Sequence, residues 1–274
     1  MRLIQLIVAV APALYLMKKV YDLDTIEKEP PALLRRLFLM GCLSVIPAVI
    51  LEVLFSRLTD PLFVGKSELL YLAVDNLLGV ALVEEGCKFF FLYKNAYRHP
   101  AFNYRFDGVV YAVFVSLGFA LVENVLYVAQ FGLQVGLVRA LLSVPLHGVC
   151  GVYMGIAFGR LKARTLHAPA GLLSAGGHCL PLPVLIHGFY DFCLSHQSRY
   201  SLLLFILFVA AVPLPATAPN RFPSGCSLQR IYDLTPLPMF GSGLFDSFRR
   251  QKPAMCTPES PGCDCLYKSR GRAR

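Results

Sequence analysis

Glu84 and Glu85, Glu123, and the pair His187 and Asp191 all fall inside apolar runs long enough to cross a bilayer. A charged group at the centre of a membrane helix costs roughly 2.5–3.5 kcal/mol on insertion scales. Such groups persist where they face a protein interior or a watery cavity and act there. Three glutamates and the histidines of one bundle, brought together, would form a polar pocket able to move protons or activate water.

The spacings say which of these groups can meet. In Glu84-Glu85-Gly86-Cys87-Lys88, Glu84 and Lys88 are four residues apart and share a helix face. Glu85 points about 100° away. A Glu84–Lys88 ion pair alone would be structural, and it would leave Glu85 an unpaired acid in lipid. Cys87 points away from that face and reads as packing. Phe119 precedes Glu123 by four residues, which stacks a ring one turn from the carboxyl, and Asn124 follows directly. Arg139, Pro145 and His147 open the next apolar segment. A lone histidine there reads more readily as a hydrogen-bonded core residue than as a ligand. His187 and Asp191, again four apart, share a face, and a carboxylate so placed can orient an imidazole for metal binding or proton transfer. The chain has no His-Glu-x-x-His zinc motif and no Gly-x-Ser-x-Gly nucleophile elbow.

The elements that must position these groups are membrane helices. The chain has 274 residues, 56% hydrophobic and 16% charged, against about 25% charged in a typical soluble domain. This composition predicts an all-α, polytopic helix bundle of six to seven spans over residues 1–212. The expected spans are about 3–20, 37–56, 69–93, 108–130, 140–160 and 181–195, with a partial one at 200–214. The first resembles a signal peptide core, but it has no convincing small-residue cleavage site and Lys18-Lys19 follow it, so it reads as a retained anchor. Gly151, Gly155 and Gly159 recur every four residues and predict close helix packing beside His147. Residues 213–274 carry nine of the 19 prolines and no apolar periodicity, and they read as a disordered tail.

Charge distribution sets the expected topology. The net charge is +9, of which the tail supplies +5 from nine Lys/Arg and four Asp/Glu. The connection 18–36 holds Lys18, Lys19, Lys28, Arg35 and Arg36, whereas the next holds only Arg57 and Lys66. Lys94, Arg98 and Arg105 follow, then Arg139 alone, then Arg160, Lys162 and Arg164, then Arg199 alone. Rich and poor connections alternate, which predicts a cell-membrane protein with its N-terminus outside and its C-terminus in the cytoplasm. The charge accompanies no nucleic-acid motif, so nucleic acid is not an expected partner. The nine cysteines form no disulfide framework: Cys42, Cys87, Cys150 and Cys193 lie in apolar spans, and the tail cluster Cys256, Cys263 and Cys265 lacks the partners that complete a metal knuckle.

Taken in order, these motifs resemble the PrsW family of intramembrane proteases, within the wider group that contains the CAAX-type prenyl-protein endopeptidases. The family pattern is Glu-Glu-x-x-Lys, Phe-x-x-x-Glu and His-x-x-x-Asp. It is matched by Glu84, Glu85 and Lys88, by Phe119 and Glu123, and by His187 and Asp191. The segments Asp107-Gly108-Val109-Val110-Tyr111, Glu123-Asn124-Val125-Leu126-Tyr127, Pro145-Leu146-His147 and His187-Gly188-Phe189-Tyr190-Asp191 are similar to the family's, over roughly residues 30–210. The sister CAAX proteases have Glu-Glu-x-x-x-Arg, Phe-x-x-x-His and His-x-x-x-Asn; Lys88, Glu123 and Asp191 place this chain on the PrsW side. From about residue 213 the chain departs from the family, which continues there as a membrane segment.

The resemblance implies proteolysis of a membrane-anchored protein, an anti-sigma factor cut near its extracytoplasmic part during envelope stress. The expected catalytic set is Glu84, Glu85, Glu123, His147, His187 and Asp191, supported by Lys88, Phe119 and Asn124. Either Glu84 or Glu85 serves as general base. His147 and His187 stabilise the oxyanion or, with Glu123, hold a metal such as zinc. A proton-coupled transporter would also need buried acids and histidines, although no internal repeat is visible. A non-catalytic scaffold of the same fold is the third alternative. Replacing Glu84 and Glu85 separates the three: a protease loses cleavage, a transporter loses proton-linked flux, and a scaffold loses little beyond stability.

Overall fold

The computed structural model describes residues 3–24, 27–165, 170–196, 198–211, 214–215 and 236–237. The helices run in chain order α1 (Leu3–Leu23), α2 (Pro31–Phe63), α3 (Glu68–Val74), a π-helical segment (Asp75–Ala81), α4 (Leu82–Ala96), α5 (Arg105–Phe131), α6 (Leu133–Leu141), α7 (Ser143–Arg164), α8 (Leu172–Cys179), α9 (Pro181–Ser195) and α10 (Arg199–Ala211). A two-residue antiparallel pairing of Leu214–Pro215 with Pro236–Leu237 is the one strand pairing among the described residues. The rest of the tail expected to be disordered lies outside them.

The expected span count is met only in part. Four stretches are long and apolar enough to cross a membrane: α1, α2, α5 and the joined run Leu133–Arg164. A fifth arises if α8 and α9, bent by 54° at their junction, count as one. The expected span 69–93 is helical, but α3, the π-helical segment and α4 divide it. The last one yields α10, whose 13 residues reach about 20 Å, short of a hydrocarbon core of about 30 Å.

α5 is the central helix: 67% of its most apolar window is buried, against 17% for α1. It packs chiefly against α7, then against α2 and α1. The glycines permit the α5–α7 contact. A Cβ built on Gly155 would stand 2.5 Å from both the Gly108 carbonyl oxygen and Val109 Cα, so the two backbones meet directly. We expect Gly155→Leu to force α5 and α7 apart and to cost about 1–3 kcal/mol or more of stability. Thermal unfolding in detergent checks this, and an unchanged midpoint would refute it. The core beneath is apolar and includes Leu37, Leu92, Tyr111, Leu117, Met154 and Phe158.

The first connection is anchored by an acid. Glu29, between α1 and α2, is 2% exposed and accepts a hydrogen bond from the Tyr111 hydroxyl. Burial pushes its carboxyl up from 4.5 to about 8; the Tyr111 bond opposes this, and the nearby charges of Asp107 and Asp24 add to it. The folded protein therefore holds this proton more tightly than the unfolded chain does. Its contribution to stability is fully present below about 4.5 and is lost as pH rises through about 8. Glu29→Gln, which stays neutral, is expected to flatten the fall of the unfolding midpoint across that window. An identical pH profile in the variant would remove Glu29 as its cause.

Candidate active site

The motif residues converge on one cluster. α4 begins at the end of the π-helical segment and carries Glu84, Glu85 and Lys88 into the bundle, where Glu85 and Lys88 are wholly buried. The Lys88 ammonium donates to Glu84 Oε2 at 3.1 Å and to Glu85 Oε1 at 2.8 Å, and it lies 2.9 Å from His147 Nδ1. It also sits 4.1 Å from the centroid of the Phe119 ring. Glu85 is thus no unpaired acid in lipid: the same lysine pairs with both glutamates. Phe119 packs beneath that ammonium, one turn from Glu123 along α5.

Each histidine is held from two sides. Lys88 has only protons to give, so His147 Nδ1 accepts and its Nε2–H faces Glu123 Oε2 at 2.8 Å. Glu123 is braced in turn by Arg139, whose Nη2 lies 2.9 Å away and whose guanidinium stacks 3.9 Å from the Tyr127 ring centroid. On α9, His187 Nδ1 meets Glu85 Oε1 at 2.9 Å, and Nε2 stands 3.1 Å from Asp191 Oδ2. Both nitrogens of His187 face carboxylate oxygens, which suits the doubly protonated ring. The two imidazoles lie edge to face with centroids 5.0 Å apart.

A cavity of about 620 Å³ opens onto this cluster. That lies within the range of about 300–1,000 Å³ typical of ligand pockets. Its wall takes Glu84, Phe119, Glu123, Arg139, His147, His187 and Asp191 from the motifs and their surroundings. Glu85 and Lys88 lie behind that wall, not on it. The π-helical segment lends Asn76 and Val80. A π-bulge of this kind often marks a functional site, and here it meets α9 where Gly188 lets Leu77 approach.

One expected member stands elsewhere. Asn124 is fully buried, donates from Nδ2 to the Ala9 carbonyl at 2.9 Å, and so ties α5 to α1 away from the cavity. The potential metal donors also differ from the expected set. Glu84, Glu85, His147 and His187 bring one ligand atom each within 4.8 Å of one another, whereas Glu123 lies on the far side of the His147 ring. Sequence reading missed Glu52, Ser143 and Tyr190, all on the cavity wall. For Glu52 the signal existed: it is an acid inside the expected span 37–56. The Ser143–Tyr190 hydroxyl pair, 2.7 Å apart, is visible only once α7 and α9 are packed.

Comparison with known proteins agrees with this geometry. Residues 29–217 match the PrsW family of intramembrane metalloproteases. A protein named Protease PrsW from Shouchella clausii is 35% identical over 209 residues, which cover 76% of this chain and 91% of that protein. The Bacillus subtilis protein of the same name is 33% identical over 202 residues, 73% of this chain and 88% of its own. No solved structure matches. With the family match across most of the bundle and the motif residues gathered around one cavity, the chain belongs to the PrsW family of intramembrane metalloproteases and is a membrane peptidase.

Proposed function

We propose that the chain is an intramembrane endopeptidase that cuts a membrane-anchored protein, an anti-sigma factor in stress signalling, with Glu84 as the general base. One observation carries the assignment within the Glu84–Glu85 pair. Glu84 faces the cavity, while Glu85 lies behind it, tied to Lys88 and His187. A general base must reach the water it activates; Glu85 instead holds the imidazole and the ammonium in place. His147, with its Nε2–H fixed on Glu123, and His187, with Asp191 behind it, are held in fixed orientation on the same wall as Glu84.

The family's description implies a metal, and the residues present fit one. Two imidazoles and two carboxylates form a nitrogen and oxygen donor set of the kind zinc takes. Glu85 Oε2 is moreover buried with no hydrogen-bond partner among the described residues. Glu85, His147 and His187, the last in its neutral form, would hold the ion, which leaves Glu84 free as the base. When bound, it supplies a Lewis acid and a water activated near neutral pH. Lys88, in contact with three of these four residues, sets how much positive charge the donors already see.

The proposed orientation, N-terminus outside and C-terminus in the cytoplasm, turns the cavity outward. Of its lining residues, Gln130 and Phe131 lie at the end of α5 that this orientation puts outside. An extracytoplasmic stub of an anchored substrate could enter there. Counting α3 through α4 as one further crossing brings the bundle to six spans.

The test is co-expression with a tagged single-span anti-sigma factor from the same cell, comparing wild type with Glu84→Ala and Glu85→Ala at equal membrane levels. The expected result is a shortened product that both variants lose, and that exhaustive chelation abolishes. A well-expressed wild type that yields no product would refute the substrate assignment. Cleavage that survives chelation would exclude a labile catalytic metal.

A further inference from the structure

Glu52 stands apart from every other charge in the cavity. It lies on α2 with Val45 and Val49, at the spacing that places all three on one helix face and on the cavity wall. Each other acid on that wall has a partner. Glu84 pairs with Lys88, Glu123 with Arg139 and His147, and Asp191 with His187. Among the described residues, Glu52 makes no side-chain hydrogen bond and no ion pair. It nevertheless lies within electrostatic reach of Glu84, Glu123, Lys88, His187 and Asp191, so it belongs to the same site. It also falls outside the three family motifs and has no part in the mechanism above.

An unpaired carboxylate facing a cavity whose other acids each have a partner calls for a cation from outside. The cavity shape limits which cation. Val45, Val49, Phe119, Leu126, Leu146 and Leu194 surround the polar groups with apolar surface. A long side chain with an apolar stem and a charged tip suits such a wall better than a small hydrated ion. We propose that Glu52 is a specificity subsite that takes a lysine or arginine side chain of the substrate, close to the bond that Glu84 attacks. The inference rests on the protease reading. Glu52 touches substrate and takes no part in the bond-breaking step.

The test uses the full chain in proteoliposomes with designed single-span reporters. These carry Lys, Gln or Glu, scanned one position at a time through the residues flanking the outer end of the span. For wild type, one position is expected to favour Lys over Gln by about tenfold or more, with Glu cut worst. Glu52→Gln should bring the Lys-to-Gln ratio of kcat/KM at that position close to one, and Glu52→Lys should favour the Glu reporter. Glu52→Asp, which retains the charge, should keep part of the Lys preference and guards against a mere folding defect. A Lys preference unchanged in Glu52→Gln, or no position with such a preference in wild type, overturns the subsite. Loss of all reporter cleavage in well-folded Glu52→Gln also overturns it, and places Glu52 in the chemistry instead. The protease reading fails differently, by wild type cutting no reporter at all.

Discussion

Glu84→Gln is expected to lower kcat/KM by about 10²–10⁴-fold while the protein stays folded, the range a lost general base commands. The amide keeps the size of the side chain and removes only the charge and the basic lone pairs. Lys88 keeps its bond to Glu85 at 2.8 Å, so the buried ammonium is not stranded. Glu84 itself sits at the cavity wall, and no other helix depends on it for a short hydrogen bond. Cleavage of a reporter in proteoliposomes, beside the unfolding midpoint in detergent, separates the two properties. Activity within a few-fold of wild type would end the assignment of Glu84 as base.

Lys88→Met carries the largest expected cost in stability, about 3–5 kcal/mol, because it strands buried negative charge. The ammonium is fully buried, binds Glu84 and Glu85, approaches His147 and rests on the Phe119 ring. Methionine fills nearly the same space, so little of the loss comes from a void. Two carboxylates would then face each other with His187 as their nearest cation. Combining Lys88→Met with Glu85→Gln removes one of those charges and should recover part of the lost stability. This non-additivity distinguishes an electrostatic cause from a packing cause. A single variant as stable as wild type would show that the lysine is not what holds the carboxylates.

Much of the site was legible because membrane burial makes an ionisable residue conspicuous. Glu84, Glu85, Glu123, His147, His187 and Asp191 were each visible as a charge or an imidazole in an apolar run, and with Lys88 they form one connected network. The partners were harder to read. Four-residue spacing announces the Glu84–Lys88 pair. The three-residue Lys88–Glu85 contact and the reach of Lys88 to His147, 59 residues away in sequence, depend on how α4 and α7 pack. Arg139 read as the lone basic residue of its connection, yet it braces Glu123. The π-helical segment has no residue signature, since inserting one residue into a helical turn leaves composition unchanged; that insertion divided an expected span. Asn124 misled because adjacency to Glu123 in a helix means a different face, and its amide serves α1 instead.

The cavity closes on an apolar floor. Phe119 packs there with Cys87, Val45 and Ala48, and beyond it lie Leu37, Leu92, Leu117 and Phe158. Charged groups are thus held deep in the bundle at the end of a well, with apolar packing between them and its other face among the described residues. An energised membrane stores energy as a voltage, and moving one elementary charge through 100 mV is worth about 2.3 kcal/mol. A polar path from face to face would discharge that store continuously. The apolar floor instead makes the bundle an insulator: vesicles carrying the protein should hold an imposed proton gradient as long as empty vesicles do, so the cell can keep a water-using enzyme in an energised membrane without short-circuiting it.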